Sequence, residues 1–387
     1  MIIDVAERIE HVEEYYFSKK LAEIAALNAK GFDIINLGIG SPDMSPDSSV
    51  ISALHETAML DSSHGYQSYR GIYELREAFS NFYKSTYKVE LNPDSEILPL
   101  MGSKEGIVHV SLAFLNKGDK VLVPDPGYLA YSAAAKIAGA EVQKYNLKEG
   151  SWEPDWEALE KIDWTKIKLW WLNYPNMPTG ATASVEIFEK IKDLSLRKKV
   201  LVINDNPYSL VLNKEAPKSI LSVVDGKDFA LELNSLSKSH NMAGWRVGML
   251  VGGAEYIDAV LRVKSNFDSG MFKAVQIAAA RALSLSELWH EERNSCYLER
   301  QKKVYDLLDL LGCKYSKNQE GLFVWAKVPD FVDSVELWTN KILHSAGVFI
   351  TPGFIFGEQG GRYIRISLCS SLERLSEAIS RIKNKLA

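Results

Sequence analysis

The chain has 387 residues, of which 46% are hydrophobic and 25% charged, so its composition is that of a globular protein long enough for two domains. Its net charge of −5 and pI of about 5.9 argue against nucleic acid or an anionic membrane as the main partner, and no apolar run approaches the ~20 residues that cross a bilayer. The three scattered cysteines show neither zinc-binding nor disulfide spacing, and residues 1–20 lack a signal-peptide core, so we expect a cytoplasmic protein without a metal site.

The first two thirds of the chain alternate between predicted helices and short strands. Helical spacing covers residues 8–30 and ends at Gly31, and residues 34–40 then form a strand that runs into the turn Gly40-Ser-Pro-Asp43. Apolar runs predict buried strands at residues 120–124, 169–172, 200–203, 229–233 and 247–251, with helices at residues 104–116, 128–138, 185–197 and 254–263. This alternation predicts an α/β fold with a mostly parallel sheet, in which ligands bind beyond the carboxyl ends of the strands.

The last third of the chain has a different pattern and predicts a smaller α+β domain. A long charged helix at residues 285–311 precedes strands at residues 321–327, 347–351 and 362–368, and helices at residues 335–346 and up to Lys385. We therefore divide the chain into a large domain, residues 45–280, and a small domain formed by residues 1–44 and 281–387. No linker rich in proline or glycine marks the join.

The segment from Ser235 to Arg246 is the most informative part of the sequence. Lys238 follows an apolar strand, the hydroxyls of Ser235 and Ser237 flank it, and Arg246 stands further on beside small residues. A lysine held by a scaffold can form a Schiff base with a carbonyl compound, and hydroxyls, backbone N–H groups and a guanidinium can together bind a phosphate. Pyridoxal 5′-phosphate (PLP) requires both features. The alternative is a serine-rich loop with two solvated charges.

Two further motifs suit the phosphate and the ring of the same cofactor. Ser103 and Lys104 follow Gly102 at a loop-to-helix junction, where backbone N–H groups and the helix dipole favour an anion; the alternative is an ordinary helix cap. Asp205 ends a buried strand and can pair with a pyridinium N–H, and Tyr208 can then reach the phenolic oxygen of the ring. The alternative for this motif is a turn that closes the strand.

Tyr128 and Arg365 complete the set of candidate site residues. Tyr128 follows another strand and would present an aromatic face to the cleft, although a tyrosine is as often a core or rim residue. Arg365 is a charged residue within an apolar strand, and its planar fork matches a carboxylate. The alternative for Arg365 is a buried salt bridge with an aspartate or glutamate.

Together these motifs resemble the class I/II aminotransferases, PLP-dependent enzymes of fold type I, and the resemblance runs from Leu37-Gly-Ile-Gly-Ser-Pro-Asp43 to Arg365. It implies a seven-stranded, mostly parallel sheet in the large domain, with Lys238 as the Schiff-base lysine that also moves the proton. The other implied roles are phosphate binding by Ser103, Lys104, Ser235, Ser237 and Arg246, ring contacts by Asp205, Tyr208 and Tyr128, and α-carboxylate binding by Arg365, with Gly40 lining that pocket.

The resemblance also implies a homodimer with shared active sites. The segment Tyr66-Gln-Ser-Tyr-Arg-Gly71 is similar to the family segment whose tyrosine reaches the cofactor phosphate of the neighbouring subunit. Tyr16 is a weaker match for a residue that approaches the substrate. Lys104 could contact a distal carboxylate of the substrate, and Lys264 or Lys273 could do so from the neighbouring subunit.

One residue departs from the family pattern. In Asn173-Tyr-Pro-Asn-Met-Pro-Thr-Gly180, Met177 stands where the family has an asparagine that donates to the phenolic oxygen of the cofactor. A thioether cannot donate, so we expect Tyr208 to serve that oxygen, with help from Asn173 or Asn176. The pKa of the lysine nitrogen bonded to the cofactor should then be higher than it would be with an asparagine.

The implied function is transfer of an amino group between an L-amino acid and a 2-oxo acid in a ping-pong reaction. Lyases of this fold, such as carbon–sulfur β-lyases, bind the cofactor and the α-carboxylate with similar residues and form the alternative. A PLP-sensing regulator is a further alternative, but such regulators carry an added DNA-binding domain, and no helix-turn-helix segment is left over here. The motifs are similar to the branch of aspartate, alanine and LL-diaminopimelate aminotransferases, and they do not identify the amino acid.

Overall fold

The computed structural model describes residues 3, 4, 6, 8 and 16–386. Its strands are β1 (Ile35–Asn36), β2 (Ile97–Leu100), β3 (Lys120–Asp125), β4 (Glu141–Asn146), β5 (Ile167–Leu172), β6 (Leu201–Asp205), β7 (Ala230–Ser235), β8 (Gly248–Gly252), β9 (Lys314–Tyr315), β10 (Phe323–Lys327), β11 (Val348–Phe349), β12 (Thr351–Pro352) and β13 (Tyr363–Ser367). Its helices are α1 (Tyr16–Ala29), α2 (Ser48–Ala58), α3 (Tyr73–Tyr87), α4 (Ser103–Phe114), α5 (Leu129–Ile137), α6 (Trp156–Lys161), α7 (Val185–Lys198), α8 (Gly226–Phe229), α9 (Leu236–Ser239), α10 (Ala254–Lys264), α11 (Lys273–Leu283), α12 (Glu287–Leu310), α13 (Val335–Ala346) and α14 (Leu372–Leu386). Within these described residues, no helix is both long and apolar enough to cross a membrane.

The large sheet has seven strands in the order β2-β8-β7-β6-β5-β3-β4. β8 runs antiparallel to its two neighbours, and the other neighbouring strands pair in parallel. The predicted mostly parallel sheet is therefore confirmed. Because β8 runs the opposite way, the residues just before it lie at the same sheet edge as the residues that follow the parallel strands.

The core lies on both faces of this sheet. Successive side chains of a strand point to opposite faces. Trp170 and Val202 accordingly pack in one apolar cluster, whereas their neighbours Trp171 and Ile203 pack in another. All four side chains are fully buried. Strands that are buried on both faces need apolar residues at every position, which explains the continuous apolar runs in the sequence.

A second, antiparallel sheet of four strands has the order β12-β13-β10-β9. In addition, β1 pairs in parallel with β11, so the N-terminal segment joins the C-terminal part of the chain. This pairing has the arrangement expected for a small domain built from both ends of the chain. The predicted domain boundaries themselves stay a prediction.

The main differences from the sequence prediction are at the edges of the large sheet. β2 and β4 were not predicted, because β2 contains Pro99 and β4 alternates exposed and half-buried residues without an apolar run. The predicted strand at residues 34–40 is reduced to β1, and its remainder forms a loop. The predicted helix at residues 8–30 is observed from Tyr16, and residues 9–15 lie outside the described residues.

Candidate active site

The carboxyl edge of the large sheet opens into a cavity of about 580 Å³. The predicted site residues that line it are Gly40, Ser103, Lys104, Tyr128, Asp205, Tyr208, Ser235, Ser237, Lys238, Arg246 and Arg365. They come from loops that follow β2, β3, β6 and β7, from the segment before β8, from the loop after β1, and from β13. The fold therefore brings together every residue that was assigned to the cofactor or to the α-carboxylate, except Tyr66, which is 94% exposed.

One end of the cavity is a socket lined by polar groups that can bind a phosphate. Ser235 Oγ lies 2.9 Å from Ser237 Oγ and accepts the backbone N–H of Ser237 at 3.1 Å. Gly102 has a φ of +84°, and a Cβ at this position would overlap the guanidinium of Arg246. The glycine is thus required both by its left-handed backbone and by the close approach of Arg246. Ser103 begins α4, whose N-terminus adds backbone N–H groups and positive dipole.

Lys238 lies in the middle of the cavity, in the short helix α9 directly after β7. Its Nζ donates to the carbonyl oxygen of Gly40 at 2.5 Å. Burial lowers the pKa of Lys238, and the positive charges of Arg365 and Arg246 lower it further, although the thiol of Cys369 opposes this shift. A lowered pKa favours the neutral amine, which is the nucleophilic form of a lysine.

Asp205 lies at the end of β6, deep in the cavity. Its Oδ2 accepts the hydroxyl of Tyr131 at 2.9 Å, whereas its Oδ1 is buried and has no hydrogen-bond partner among the described residues. Burial raises the pKa of Asp205 to about 7; the bond from Tyr131 opposes the shift and the nearby Glu232 adds to it. A cationic N–H donor facing Oδ1 would restore the ionised carboxylate.

Aromatic rings form the wall beside Asp205. Tyr131 stacks on Trp171 with a centroid distance of 4.8 Å, and Tyr128 meets Tyr131 edge to face at 5.6 Å. Tyr208 packs edge to face on Phe323 at 6.1 Å. These contacts fix the ring orientations, so that Tyr128 and Tyr208 both face the cavity from rigid supports.

The opposite end of the cavity is built around Arg365. Its Nη2 donates to the carbonyl oxygen of Gly38 at 2.7 Å, and its Nη1 lies 3.0 Å from Met177 Sδ. The guanidinium carbon lies 3.8 Å from the ring centroid of Phe323, 4.6 Å from that of Phe356 and 5.4 Å from that of Phe17. Arg365 is 4% exposed, so this cation sits in an aromatic enclosure that opens to the cavity.

Comparisons with known proteins agree with this geometry. Residues 33–382 match the family described as aminotransferase class I and II. The chain is 38% identical to an LL-diaminopimelate aminotransferase of Halothermothrix orenii over 381 residues, which cover 98% of each chain, and 39% identical to one of Aquifex aeolicus over 385 residues, which cover 99% of each. A solved structure of substrate-bound BacF from Bacillus subtilis has a TM-score of 0.94 at 34% identity, covering 99% of this chain and 98% of that chain. The solved structure of an aspartate aminotransferase from Thermotoga maritima has a TM-score of 0.89 at 30% identity. The match covers 99% of this chain and 100% of that chain.

The chain belongs to the class I and II aminotransferases. As a PLP-dependent aminotransferase of fold type I, it exchanges an amino group between an amino acid and a 2-oxo acid. The prediction of an aminotransferase is confirmed. The family and the relatives named above do not favour the lyase or the regulator alternative.

The residues of this aminotransferase fit PLP. The partnerless Oδ1 of Asp205 can accept a pyridinium N–H, and the absence of a side chain at Gly102 allows the Arg246 guanidinium to lie against the start of α4. Hydroxyl and guanidinium donors at one end and a half-buried amine in the middle match a phosphate and an aldehyde.

Several expectations for this aminotransferase need correction. Tyr16 packs on Phe354 and is not among the residues that line the cavity, whereas its neighbour Phe17 is. The prediction that Lys264 reaches a substrate of the neighbouring subunit is wrong, because Lys264 is 1% exposed and its Nζ lies 2.7 Å from Asp268. Lys273, at the start of α11, does not line the cavity of its own chain.

The expected help from two asparagines is also not supported. Asn173 lines the cavity, but its amide nitrogen donates to the carbonyl oxygen of Asp205 at 2.6 Å and its Oδ1 accepts the backbone N–H of Met177 at 2.7 Å. Asn176 accepts the hydroxyl of Thr179 at 2.8 Å and is not a lining residue. Both side chains stabilise the turn instead.

The sequence reasoning missed the apolar residues at the Arg365 end and one tyrosine beside the cofactor. The missed lining residues include Phe17, Leu21, Ile39, Tyr131, Phe323 and Phe356. Tyr131 lies three residues after Tyr128 in α5, so helical spacing could have placed it on the same face. The others are ordinary hydrophobic residues in sequence, and only the packing of α1 and the small sheet brings them to the cavity.

Proposed function

We propose that Lys238 is the residue that bonds to the PLP aldehyde and carries out the proton transfers of amino-group exchange. The observation that supports this most strongly is the arrangement of Lys238 and Asp205. Asp205 ends β6 and Lys238 follows the neighbouring strand β7, and the two line one cavity as a buried, half-satisfied carboxylate and a half-buried amine. This is the pair of groups that the two ends of a pyridine aldehyde require.

The other residues have roles set by their positions. Ser103, Ser235, Ser237 and Arg246, with Lys104 at the rim, hold the phosphate. Asp205 keeps the ring nitrogen protonated, Tyr128 covers a face of the ring, and Tyr208 donates to the phenolic oxygen. When bound, PLP supplies an electron sink for the charge that develops at the substrate Cα.

The chain's own residues then position the substrate and move one proton. Arg365 binds the α-carboxylate with its planar fork, and Gly40 lets the backbone lie against the Phe323 ring, because a Cβ at residue 40 would overlap that ring. As a neutral amine, Lys238 would take the proton from the substrate Cα and deliver it to the C4′ carbon of the cofactor. Its lowered pKa suits this role as a general base.

The proposed assembly is a homodimer in which Tyr66 completes the phosphate socket of the partner subunit. Tyr66 is 94% exposed, and other exposed apolar side chains lie close to it in sequence, including Met59, Leu60 and Tyr69. An exposed apolar group of this kind is typical of a surface that another chain covers.

Borohydride reduction of the PLP-loaded protein tests the central proposal. Peptide mass spectrometry should then find the cofactor on Lys238, and the variant Lys238→Ala should show no labelled peptide. A label on any other lysine of the wild-type protein would contradict the assignment.

Hybrid dimers test the shared site. Tyr66→Ala and Lys238→Ala proteins should each be impaired, whereas a mixture of the two should regain activity. The regained activity comes from a hybrid site that has an intact Lys238 from one chain and an intact Tyr66 from the other. If both residues act within one chain, every hybrid site carries a defect and the mixture stays inactive. The relatives named for LL-diaminopimelate make that compound the first amino donor to compare with others.

A further inference from the structure

The substrate end of the cavity is bounded by apolar side chains. Phe17 and Leu21 face it from successive turns of α1, Ile39 from the loop after β1, and Phe323 and Phe356 from the C-terminal part of the chain. Phe17, Phe323 and Phe356 are also the three rings around the Arg365 guanidinium. A substrate held at Arg365 therefore meets hydrocarbon on this side.

The Met177 thioether adds to this apolar character. Met177 is 6% exposed, lines the cavity and contacts Arg365. It replaces the amide that the rest of the family pattern would have placed beside the guanidinium. Position 177 therefore offers a thioether instead of a hydrogen-bonding amide beside Arg365, and the uncharged polar lining residues closest in sequence to Phe17 and Met177 are Ser18 and Asn173.

Charged groups in the cavity are nearly all positive. Among the described residues that line it, the charged ones are Lys104, Asp205, Lys238, Arg246 and Arg365. The single carboxylate, Asp205, is deep in the site and already accepts a hydrogen bond from Tyr131. No described lining residue is therefore placed to pair with an ammonium group at the far end of a substrate.

The loop that we expect to enter from the partner subunit adds no acidic side chain to the cavity. The segment from Gly65 to Gly71 contains no acidic residue, and its Arg70 lies 3.4 Å from Asp258 of its own chain. Among the described lining residues, a second ammonium on the substrate would find no counter-ion, which makes its desolvation unfavourable, whereas an apolar side chain would gain by leaving water.

We infer that the amino donor of this enzyme has an apolar side chain, aliphatic or aromatic, and that a diamino diacid such as LL-diaminopimelate is a poor donor. This inference rests on the proposed role of Arg365 as the α-carboxylate clamp. Lys104, at the exposed rim, is the cation that a distal carboxylate would reach, so an acidic donor is the main rival outcome.

Binding of unreactive carboxylates to the PLP-loaded enzyme tests the inference without turnover. We expect 3-phenylpropanoate and 4-methylpentanoate to have dissociation constants at least tenfold lower than 6-aminohexanoate and hexanedioate, measured by the change in cofactor absorbance or by calorimetry. Equal or tighter binding of 6-aminohexanoate, or of hexanedioate, would overturn the inference. This result is independent of whether amino transfer occurs.

Single-turnover rates with amino donors separate the two proposals. L-Leucine, L-methionine or L-phenylalanine should convert the bound cofactor with a second-order rate constant at least tenfold above that of LL-diaminopimelate or L-glutamate. A higher constant for LL-diaminopimelate overturns the apolar preference while leaving the aminotransferase intact. If no donor reacts and the apolar carboxylates still bind more tightly, the proposed function fails and the apolar preference stands.

A matched pair of variants tests whether α1 contributes to the preference for apolar ligands. Leu21 is 42% exposed and lines the cavity, whereas Leu196 is 51% exposed on α7 and does not. Leu21→Glu should raise the dissociation constant of 3-phenylpropanoate at least tenfold. The ratio between the dissociation constants of 6-aminohexanoate and 3-phenylpropanoate should then become smaller. Leu196→Glu should leave both constants within twofold of the wild type. An unchanged preference in Leu21→Glu would show that α1 does not contact the substrate and would overturn the inference.

Discussion

The two ends of the cavity differ in origin and in chemistry. The phosphate end is made by turns at the carboxyl edge of the seven-stranded sheet, and its groups are hydroxyls, backbone N–H groups and the guanidinium of Arg246. The substrate end is made by α1, the loop after β1 and the C-terminal part of the chain, and its groups are aromatic and aliphatic side chains around Arg365.

This difference separates two tasks. The proposed phosphate end would bind a group that is the same in every catalytic cycle, and its residues come from short local motifs at one edge of the large sheet. The substrate end must match a particular side chain, and it is assembled from parts of the chain that are far apart in sequence. Each variant below should therefore affect one end and spare the other.

Arg365→Lys should have the largest effect. A lysine cannot bind a carboxylate with two parallel hydrogen bonds, and the loss of a charge-assisted pair costs about 2–3 kcal/mol, so kcat/KM for amino donors should fall about 100-fold. The dissociation constant of PLP, measured by titrating the cofactor-free protein, should stay within about twofold of the wild type. A comparable loss of PLP affinity would show that the two ends are not independent.

Gly102→Ala should damage the opposite end. The new Cβ would overlap the Arg246 guanidinium on a backbone that already has positive φ, so PLP affinity should fall about tenfold or more. Gly244→Ala is the matched control, because a Cβ at Gly244 meets no atom within 4 Å although the residue lies close to Arg246 in sequence. At saturating PLP, the KM for the amino donor should be unchanged in both variants.

Asp205→Asn should change how the stability of the cofactor-free protein depends on pH. Burial raises the pKa of Asp205 to about 7, so between pH 4 and 7 the folded state holds a proton that the unfolded chain releases. Stability from this group is therefore fully present below about pH 4, is lost progressively as the pH rises towards 7, and changes little above pH 7. We expect the excess of the variant over the wild type in unfolding free energy to be larger at pH 8 than at pH 5 by about 1 kcal/mol or more.

Urea unfolding at both pH values measures this difference. An equal gap between the two proteins at pH 5 and pH 8 would show that Asp205 does not titrate in this range. The substrate end contains no comparable buried carboxylate among the described lining residues. Variants of that end should therefore leave the pH dependence of the unfolding free energy unchanged.

Met177→Asn should have the smallest effect, and it acts where the two ends meet. An amide donor to the phenolic oxygen would stabilise its negative charge, so the pKa of the Lys238 nitrogen bonded to PLP should fall by about half a unit. A spectroscopic pH titration measures this value. Met177→Leu removes the sulfur without adding a donor and should leave the pKa unmoved; a fall in both variants would exclude the donor explanation.

The sequence identified the residues that line the proposed phosphate end and the centre of the cavity much better than those of the proposed substrate end, and the roles of these residues stay predictions. Lys238 and Asp205 could be found because each follows a continuous apolar strand, and parallel strands end at one edge of the sheet. Arg246 could be found from its motif, and β8 brings it to that edge by running antiparallel.

The residues that were missed or wrongly placed depend on contacts between segments that are far apart in sequence. Phe17 and Phe356 look like ordinary core residues, and nothing local shows that they enclose an arginine. Lys264 was expected to be able to reach a substrate of the neighbouring subunit, but its ammonium donates to the carbonyl oxygen of Tyr69 at 3.3 Å and pairs with Asp268 inside the fold. A cluster of Glu105, His109 and Asp268 nearby has spacing suitable for a cation, and the ammonium of Lys264 already lies beside it.

The loop that carries Gly40 is also held in place by an ion pair outside the cavity. Beyond Gly40, Asp43 receives two hydrogen bonds from Arg300 of α12, at 2.6 and 2.9 Å, and Arg300 also donates to the carbonyl oxygen of Leu368 at 3.1 Å. The loop, the long helix and the end of β13 are thus pinned together by one side chain. A movement of the C-terminal part towards a substrate would therefore also move the Gly40 carbonyl, which accepts the hydrogen bond from Lys238 Nζ.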